Sequence, residues 1–336
     1  MTVLLQKNQS KLGGLLLLLL LVIAGMFASI LWGVVDTSWQ GLLQTYTHFT
    51  GTQEQLVIQQ IRVPRALIAT AIGASLGVSG VLMQVLMRNP LADPGVFGVN
   101  AGASFFVVVA ITLFSMTSLT EIAWVAFLGA AVSGGIVYTL GSLGRDGLTP
   151  MKLTIAGAAM AALFSSWMHG LLIVNERAME DVLFWIAGSV SGRKLELLTS
   201  VLPYLAVGWI GSILLTGQLN ILSSGDDIAK GLGQKTWLIK LLSALCVVLL
   251  AGGSVAVAGP VGFIGLVIPH FARALVGLNL RWVMLYAMLL GALFVLTADI
   301  AARFVAMPKE VPLGVMTALL GVPFFVYVAR KGVTRS

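Results

Sequence analysis

The chain opens with an apolar run from about residue 12 to 35, in which every position from Leu15 to Leu21 is leucine. Nine more apolar runs follow, at approximately 62–87, 94–115, 121–143, 151–174, 197–217, 236–257, 260–276, 282–303 and 312–330. A helix that crosses a bilayer needs about 20 mostly apolar residues, so runs of this length have lipid as their solvent. Lipid offers no partner to backbone N–H and C=O groups, and a continuous run satisfies them internally only as an α-helix. Ten spans would use about 200 residues. The rest, divided among tails and connections, cannot build a sizeable soluble domain. The sequence therefore reads as an all-α integral membrane protein, one polytopic unit over residues 1–336 with about ten transmembrane helices. Composition agrees: 10% of residues are charged and 58% hydrophobic, far from a soluble domain. Cys246 is the only cysteine, which excludes a disulfide scaffold. The net charge of +7 is spread over loops rather than gathered for nucleic acid. A cleaved signal peptide has an apolar core of only about 7–15 residues, so the first run is read as an uncleaved span.

Charge sets the orientation. Lys7 and Lys11 precede the first run, while Arg330, Lys331 and Arg335 follow the last. Both ends suit the cytoplasm, and an even number of crossings places them there. With the N-terminus inside, the inner side also collects Arg88, Arg145, Lys152, Lys230, Lys235, Lys240, Arg273 and Arg281, the larger share of the 20 Lys and Arg residues. The outer side takes most of the acids: Asp36, Glu54, Glu121, Glu176, Glu180, Asp181, Glu196 and Glu310. The eighth run is short and interrupted by Pro260 and Pro269, and parity is the argument for counting it.

The 38 glycines serve close packing, because helices in lipid associate through backbone approach at small residues. Gly73-Ala74-Ser75-Leu76-Gly77-Val78-Ser79-Gly80 has this character, and Gly252-Gly253-Ser254-Val255-Ala256-Val257-Ala258-Gly259 matches it at the small positions. Two inverted halves or chance likeness between Gly/Ala-rich helices both account for the match.

No engine is visible in the chain itself. It holds no Gly-x-x-x-x-Gly-Lys-Ser/Thr phosphate loop, and His48, His169 and His270 stand far apart. Asp299 is the acid lying well inside an apolar run. Arg303 follows four residues later on the same helical face, so a local ion pair competes with a proton-relay role. The longest inner connection, residues 218–236, offers Ser223 or Ser224 as a helix cap and Asp226 and Asp227 in the first turn. Ile228, Ala229 and Leu232 form an apolar side and Gly233 a stop. Such a helix either lies in lipid headgroups or docks into a partner protein.

Several ordered motifs carry a resemblance. They are Arg62-Val63-Pro64-Arg65, Gly80-Val81-Leu82-Met83-Gln84, Arg88-Asn89-Pro90-Leu91-Ala92-Asp93-Pro94-Gly95 with Gly98, and Gly225-Asp226-Asp227-Ile228-Ala229-Lys230-Gly231-Leu232-Gly233. Gly259-Pro260-Val261-Gly262-Phe263-Ile264-Gly265-Leu266-Val267-Ile268-Pro269-His270, Ala298-Asp299-Ile300-Ala301-Ala302-Arg303, Pro312-Leu313-Gly314-Val315 and Gly321-Val322-Pro323-Phe324-Phe325 continue it to about residue 330. The chain resembles the permeases of iron-siderophore, haem and cobalamin ATP-binding-cassette importers, the FecCD type.

That resemblance implies a type II importer permease with cytoplasmic termini in the bacterial cytoplasmic membrane. It implies a second permease subunit, identical or homologous, two cytoplasmic ATPase subunits that bind ATP and Mg, and an extracytoplasmic substrate-binding protein. The chain itself would be no enzyme and would bind no cofactor or metal. Its cargo would be a ferric siderophore or related chelate, with haem or cobalamin as the alternative within the family and an ion-coupled secondary transporter as the rival class.

By the same resemblance, Gly225, Asp226, Asp227, Ile228, Ala229, Lys230, Leu232 and Gly233 form the ATPase-coupling helix, about 224–233. The family more often has an apolar residue at the place of Asp227. Arg62, Arg65 and Arg303 would receive acids of the binding protein, with headgroup contact or the Asp299 pair as the structural alternatives. Asn89, Leu91 and Thr149 would form the cytoplasmic gate, although Pro150 departs from the polar residue expected beside Thr149. Met160, Phe164, Trp167, Met168 and His169 would line the pathway, a soft wall suited to a passenger that must not be held, with ordinary helix packing as the alternative. His169 has no partner ligand in sequence that would make it an iron site.

Overall fold

The computed structural model describes residues 4–33, 37–144, 147–174, 179, 182–183, 185–307 and 309–333. Asp36, Arg145, Glu176, Glu180, Asp181 and Arg335, assigned to sides above, lie outside them. The described residues form helices and connections: α1 (Asn8–Leu31), α2 (Trp39–Thr47), α3 (Gln53–Leu86), α4 (Val99–Phe114), α5 (Leu119–Ser142), α6 (Pro150–Val174) and α7 (Leu195–Leu214). These are followed by α8 (Thr216–Ser223), α9 (Asp226–Gly231), α10 (Thr236–Ala258), α11 (Ile264–Val276), α12 (Leu280–Phe304) and α13 (Leu313–Val333). Among the described residues, 7 helices are long and apolar enough to cross a membrane: α1, α3, α5, α6, α7, α10 and α12. Val99–Phe114, Ile264–Val276 and Leu313–Val326 are shorter apolar helices.

Each of the ten apolar runs contains a helix, and the differences have local causes. The run at 94–115 becomes helical only at Val99, because Pro94–Phe97 make one 3-10 turn and Gly98 takes a left-handed conformation. The run at 260–276 yields only 13 residues of helix, since Pro260 and Pro269 flank or interrupt it and Phe263 at its start has φ 68°. In the other direction, α3 begins nine residues before the apolar run, at Gln53, and passes through a π-helical turn at Ile58–Arg62. The short helix α2 was hidden by its lack of a long apolar stretch. Ser38 caps it by accepting from Gly41 N.

The centre of the molecule is α3, buried along nearly its whole length against α12 and α11. A side chain would prevent this approach. A Cβ on Gly73 would stand 2.3 Å from Gly291 O, and one on Gly291 would stand 2.1 Å from Gly73 O. The small residues thus substitute backbone proximity for the hydrophobic drive that lipid removes. Gly252 and Gly253 of the second small run pack on α5 and α7 instead. Gly291→Ala is expected to separate α3 from α12 and cost about 1–3 kcal/mol or more. A thermal midpoint in detergent equal to that of the unchanged chain would show that the approach is dispensable.

Two ends can be distinguished. Leu5 N donates to Leu275 O (2.9 Å) and Asn220 Oδ1 accepts from Leu280 N (3.2 Å), which ties the N-terminal segment and the α7–α10 connection to one end. At the opposite end, Ser189 N donates to Ala258 O (2.7 Å) and Gly314 N donates to Gly188 O (3.2 Å). Asp299 and Asp226, both singled out by sequence, each sit in an ion-pair cluster, one at each end.

Candidate functional site: two charged ends of a helical bundle

At the end away from the N-terminus, Asp299 sits on α12 with 1% of its side chain exposed. Arg303, one turn later, donates to it at 2.5 Å, the expected local pair. A second guanidinium joins them: Arg65 of α3 donates from Nη2 to Asp299 Oδ1 (2.9 Å) and from Nη1 to Glu310 Oε2 (2.8 Å). Two cations therefore share two carboxylates, one buried and one, Glu310, partly open to solvent. Ion pairing with hydrogen bonds on each oxygen is what allows such charges to be buried at all.

The arginines also finish α1. The last carbonyls of a helix have no partner within it and carry partial negative charge. Arg62 Nη1 donates to Ile30 O (2.7 Å), Leu31 O (2.9 Å) and Thr37 Oγ1 (2.6 Å). Arg303 Nη1 donates to Ser29 O (2.6 Å) and Trp32 O (2.8 Å), and its Nη2 to Ser29 Oγ (2.6 Å). Arg62 and Arg65 stand three apart in sequence, yet they serve different neighbours: Arg62 caps α1 and Arg65 binds α12 and the connection after it. All three guanidinium groups are buried. The structural alternative raised for Arg303, its pair with Asp299, is present in fuller form than sequence spacing suggested.

At the other end lies α9. Gly225 occupies its N-cap position with φ 130°, and neither Ser223 nor Ser224 caps it. Ser223 Oγ instead donates to Asn220 O (2.7 Å). The left-handed Gly225 and Gly233 bracket the turn, so the connection could not be made by residues bearing a Cβ without strain. Ala229 is fully buried, whereas Ile228 and Leu232 are 55% and 69% exposed. Asp227 and Lys230 are exposed beside them. The apolar side read from sequence is thus split: one small residue anchors the helix and two large ones face outward.

Asp226 holds this helix to the body. It accepts from Arg88 Nη2 (2.5 Å) and from Lys240 Nζ (2.5 Å), and Lys240 Nζ also donates to Leu148 O (3.1 Å). The segment after Arg88 is a compact turn. Asn89 Oδ1 accepts from Leu91 N (2.9 Å), and the His270 ring pairs through Nε2 with Pro90 O (2.9 Å). Asn89 and Leu91 are exposed, and Thr149 sits half-buried where its carbonyl starts α6 by accepting from Leu153 N (3.1 Å).

The pathway candidates on α6 divide. Met160 and Phe164 are buried, and Phe164 stacks on Phe105 of α4 at 5.3 Å. Met168 is half-buried in a small cluster with Val108, Leu172 and Val182. Trp167 and His169 are exposed, with Trp167 also touching the Phe105 ring at 5.5 Å. Among the described residues, no group of three or more His, Cys, Asp or Glu could hold a metal ion. Sequence reasoning missed Glu310, Ser29 and Lys240 as members of these clusters. Glu310 lay in a loop without a motif, and Ser29 and Lys240 are brought in by helix packing alone.

The model of the FecCD transport family matches residues 19–331. The chain belongs to that family. It is a multi-pass membrane permease rather than an enzyme. It is 52% identical to the probable siderophore transport system permease protein YfiZ of Bacillus subtilis, over 97% of this chain and 98% of that one. It is also 38% identical to the ferric enterobactin transport system permease protein FepD of Escherichia coli, over 94% of each chain. A solved structure described as an inward-facing metal-chelate type ABC transporter superposes with a TM-score of 0.81 at 29% identity, covering 94% of this FecCD chain and 98% of its own.

Proposed function

We propose that this FecCD-family chain is the permease subunit of an ATP-binding-cassette importer that carries a ferric siderophore or related iron chelate into the bacterial cytoplasm. The observation that carries this reading is the 52% identity, over nearly the whole of both chains, to the probable siderophore transport system permease protein YfiZ. ATP hydrolysis would reside on two cytoplasmic ATPase subunits, with a second permease completing the path and an extracytoplasmic protein delivering the chelate. Seven long apolar helices and three shorter ones support ten crossings, with both termini in the cytoplasm.

The geometry favours an engine outside the chain. An ion-coupled carrier keeps a carboxyl in the membrane that can change protonation. Here the acid deepest in an apolar run, Asp299, is held by two guanidinium groups. The exposed Ile228 and Leu232 suit a partner cleft at the end opposite the Arg65 cluster. On the outer side, Glu310 occupies one edge of Arg65, and a carboxylate of the binding protein would take its place there. Glu310→Gln is then expected to raise the affinity of the binding protein for the permease complex by about two- to fivefold, the worth of a partly exposed ion pair. Surface plasmon resonance on complexes in nanodiscs measures it, and a weakened interaction would remove Arg65 from the docking surface.

The deciding experiment is to purify the complex with its binding protein and to compare ferric siderophores, ferric citrate, haem and cobalamin as stimulants of ATP hydrolysis. Stimulation by a ferric chelate is expected. Stimulation by haem or cobalamin alone would move the cargo within the family, and uptake by this chain alone under an ion gradient would overturn the ATP-driven reading.

A further inference from the structure

We propose that Asp226 is a positioning residue that clasps the docking helix α9 to both cytoplasmic loops flanking the path, so that a displacement of α9 is delivered to them together. The inference rests on the reading of residues 225–233 as the ATPase docking helix and adds to it the route by which that helix moves the rest of the chain.

Two cations meet at one carboxylate, and one of them carries the link on to a further connection. Oδ1 of Asp226 takes Arg88, the last residue before the Asn89-Pro90-Leu91 turn, and Oδ2 takes Lys240 of α10. Lys240 passes the link on to Leu148 O, in the segment that leads into Thr149 and α6. The lysine is largely and the aspartate partly shielded from water, which strengthens their pair, whereas Arg88 is 42% exposed and its pair is the more screened of the two. α9 is only six residues long, and of its apolar residues only Ala229 is buried. It therefore has little packing of its own to fix its position, and the Asp226 bonds are its principal charged anchor among the described residues.

A second observation comes from the backbone at Arg88. Helix α3 ends in a Schellman turn, with Arg88 N donating to Val85 O (3.2 Å) and Asn89 N donating to Gln84 O (3.2 Å). That turn needs a left-handed residue at the position Arg88 fills, and Arg88 has φ 45°. Glycine is the usual occupant, because a Cβ is disfavoured there. An arginine at this place accepts a backbone penalty and gains a guanidinium whose contact is Asp226. The turn thus ends the central helix, starts the candidate gate and reaches α9 through one residue.

The test uses the full complex of permease, ATPase and binding protein in proteoliposomes, with ferric chelate uptake and ATP hydrolysis measured together. Asp226→Asn is expected to lower chelate taken up per ATP hydrolysed by roughly tenfold, within the coupling range of residues in one ionic network. Arg88→Gln should lower the ratio severalfold, and adding it to Asp226→Asn should change nothing further. Asp226→Glu, which keeps the charge, should restore most of the ratio. A pure folding defect would lower uptake and hydrolysis together and leave their ratio unchanged. Independent effects of Arg88→Gln and Asp226→Asn would overturn the clasp. If Asp226→Asn does not assemble, Arg88→Gln and Lys240→Gln decide, and unchanged ratios in both overturn it.

A second readout needs no cargo. Nitroxide labels on Gly231→Cys and Leu91→Cys, in a Cys246→Ser background, report the spacing of α9 from the turn. The distance distribution in the nucleotide-free complex is expected to broaden with Asp226→Asn and to stay narrow with Asp226→Glu. An unchanged width refutes the clasp. A narrow distribution that widens as expected, in a complex whose spacing ignores nucleotide and ATPase, leaves the clasp standing and refutes the docking reading beneath it.

Discussion

Asp299→Asn is expected to be the most damaging single change of charge in the chain. Asp299 holds Arg65 and Arg303 simultaneously while only 1% exposed, and the asparagine keeps its volume but loses its charge. Arg65 would retain Glu310, but Arg303 would face only neutral acceptors, at Ser29, Trp32 and the asparagine carbonyl. Removing one partner of a buried pair typically costs about 3–5 kcal/mol, because the remaining charge is left desolvated without compensation. The thermal midpoint in detergent should fall by about 5–10 °C. Glu310→Gln, at the half-open end of the same network, should cost much less. Asp299→Asn melting with the unchanged chain, or Glu310→Gln proving the worse of the two, would show that the network does not hold α3, α12 and α1 together.

This cluster also shows where sequence reasoning reaches its limit. The Asp299–Arg303 pair was legible because helical periodicity places residues four apart on one face. Arg65 was visible as an arginine at the outer end of a run, but its partner lies 234 positions away. Only the close approach of α3 to α12, permitted by Gly73 and Gly291, brings them together. The ten apolar runs announced ten helices because lipid enforces the helix wherever a run is continuous. Their lengths were less legible where proline or a left-handed residue fell inside a run, as at Pro94–Gly98 and Phe263. α2 escaped because a nine-residue helix that does not span needs no long apolar stretch. On α6, the family resemblance singled out Met160, Phe164, Trp167, Met168 and His169 as a group. Helical rotation then buried Met160, turned Phe164 onto Phe105 of α4, and left His169 and most of Trp167 exposed, the latter at the edge of the same Phe105 ring.

The second large effect concerns the opposite end. Ile228→Asp combined with Leu232→Asp is expected to abolish co-purification of the ATPase subunits while leaving the permease folded. Both side chains are more than half exposed on a helix anchored elsewhere, by Ala229 packing and by the Asp226 bonds. Their replacement removes little from the isolated chain, so its thermal midpoint should hold. In a cleft they would contribute about 1.5–3 kcal/mol each when fully buried. Two aspartates there would forfeit that contribution and add the cost of burying unpaired carboxylates. Together this corresponds to at least two powers of ten in affinity, enough to lose the ATPase during purification. Lys230→Gln on the same helix serves as the control, since it removes one exposed charge and no apolar surface. Retention of the ATPase at its ordinary ratio by the double aspartate variant would return α9 to the other reading open from its chemistry, a helix lying in lipid headgroups. The contrast is sharp because headgroup residence tolerates two added acids in an uncharged lipid, where a protein cleft does not.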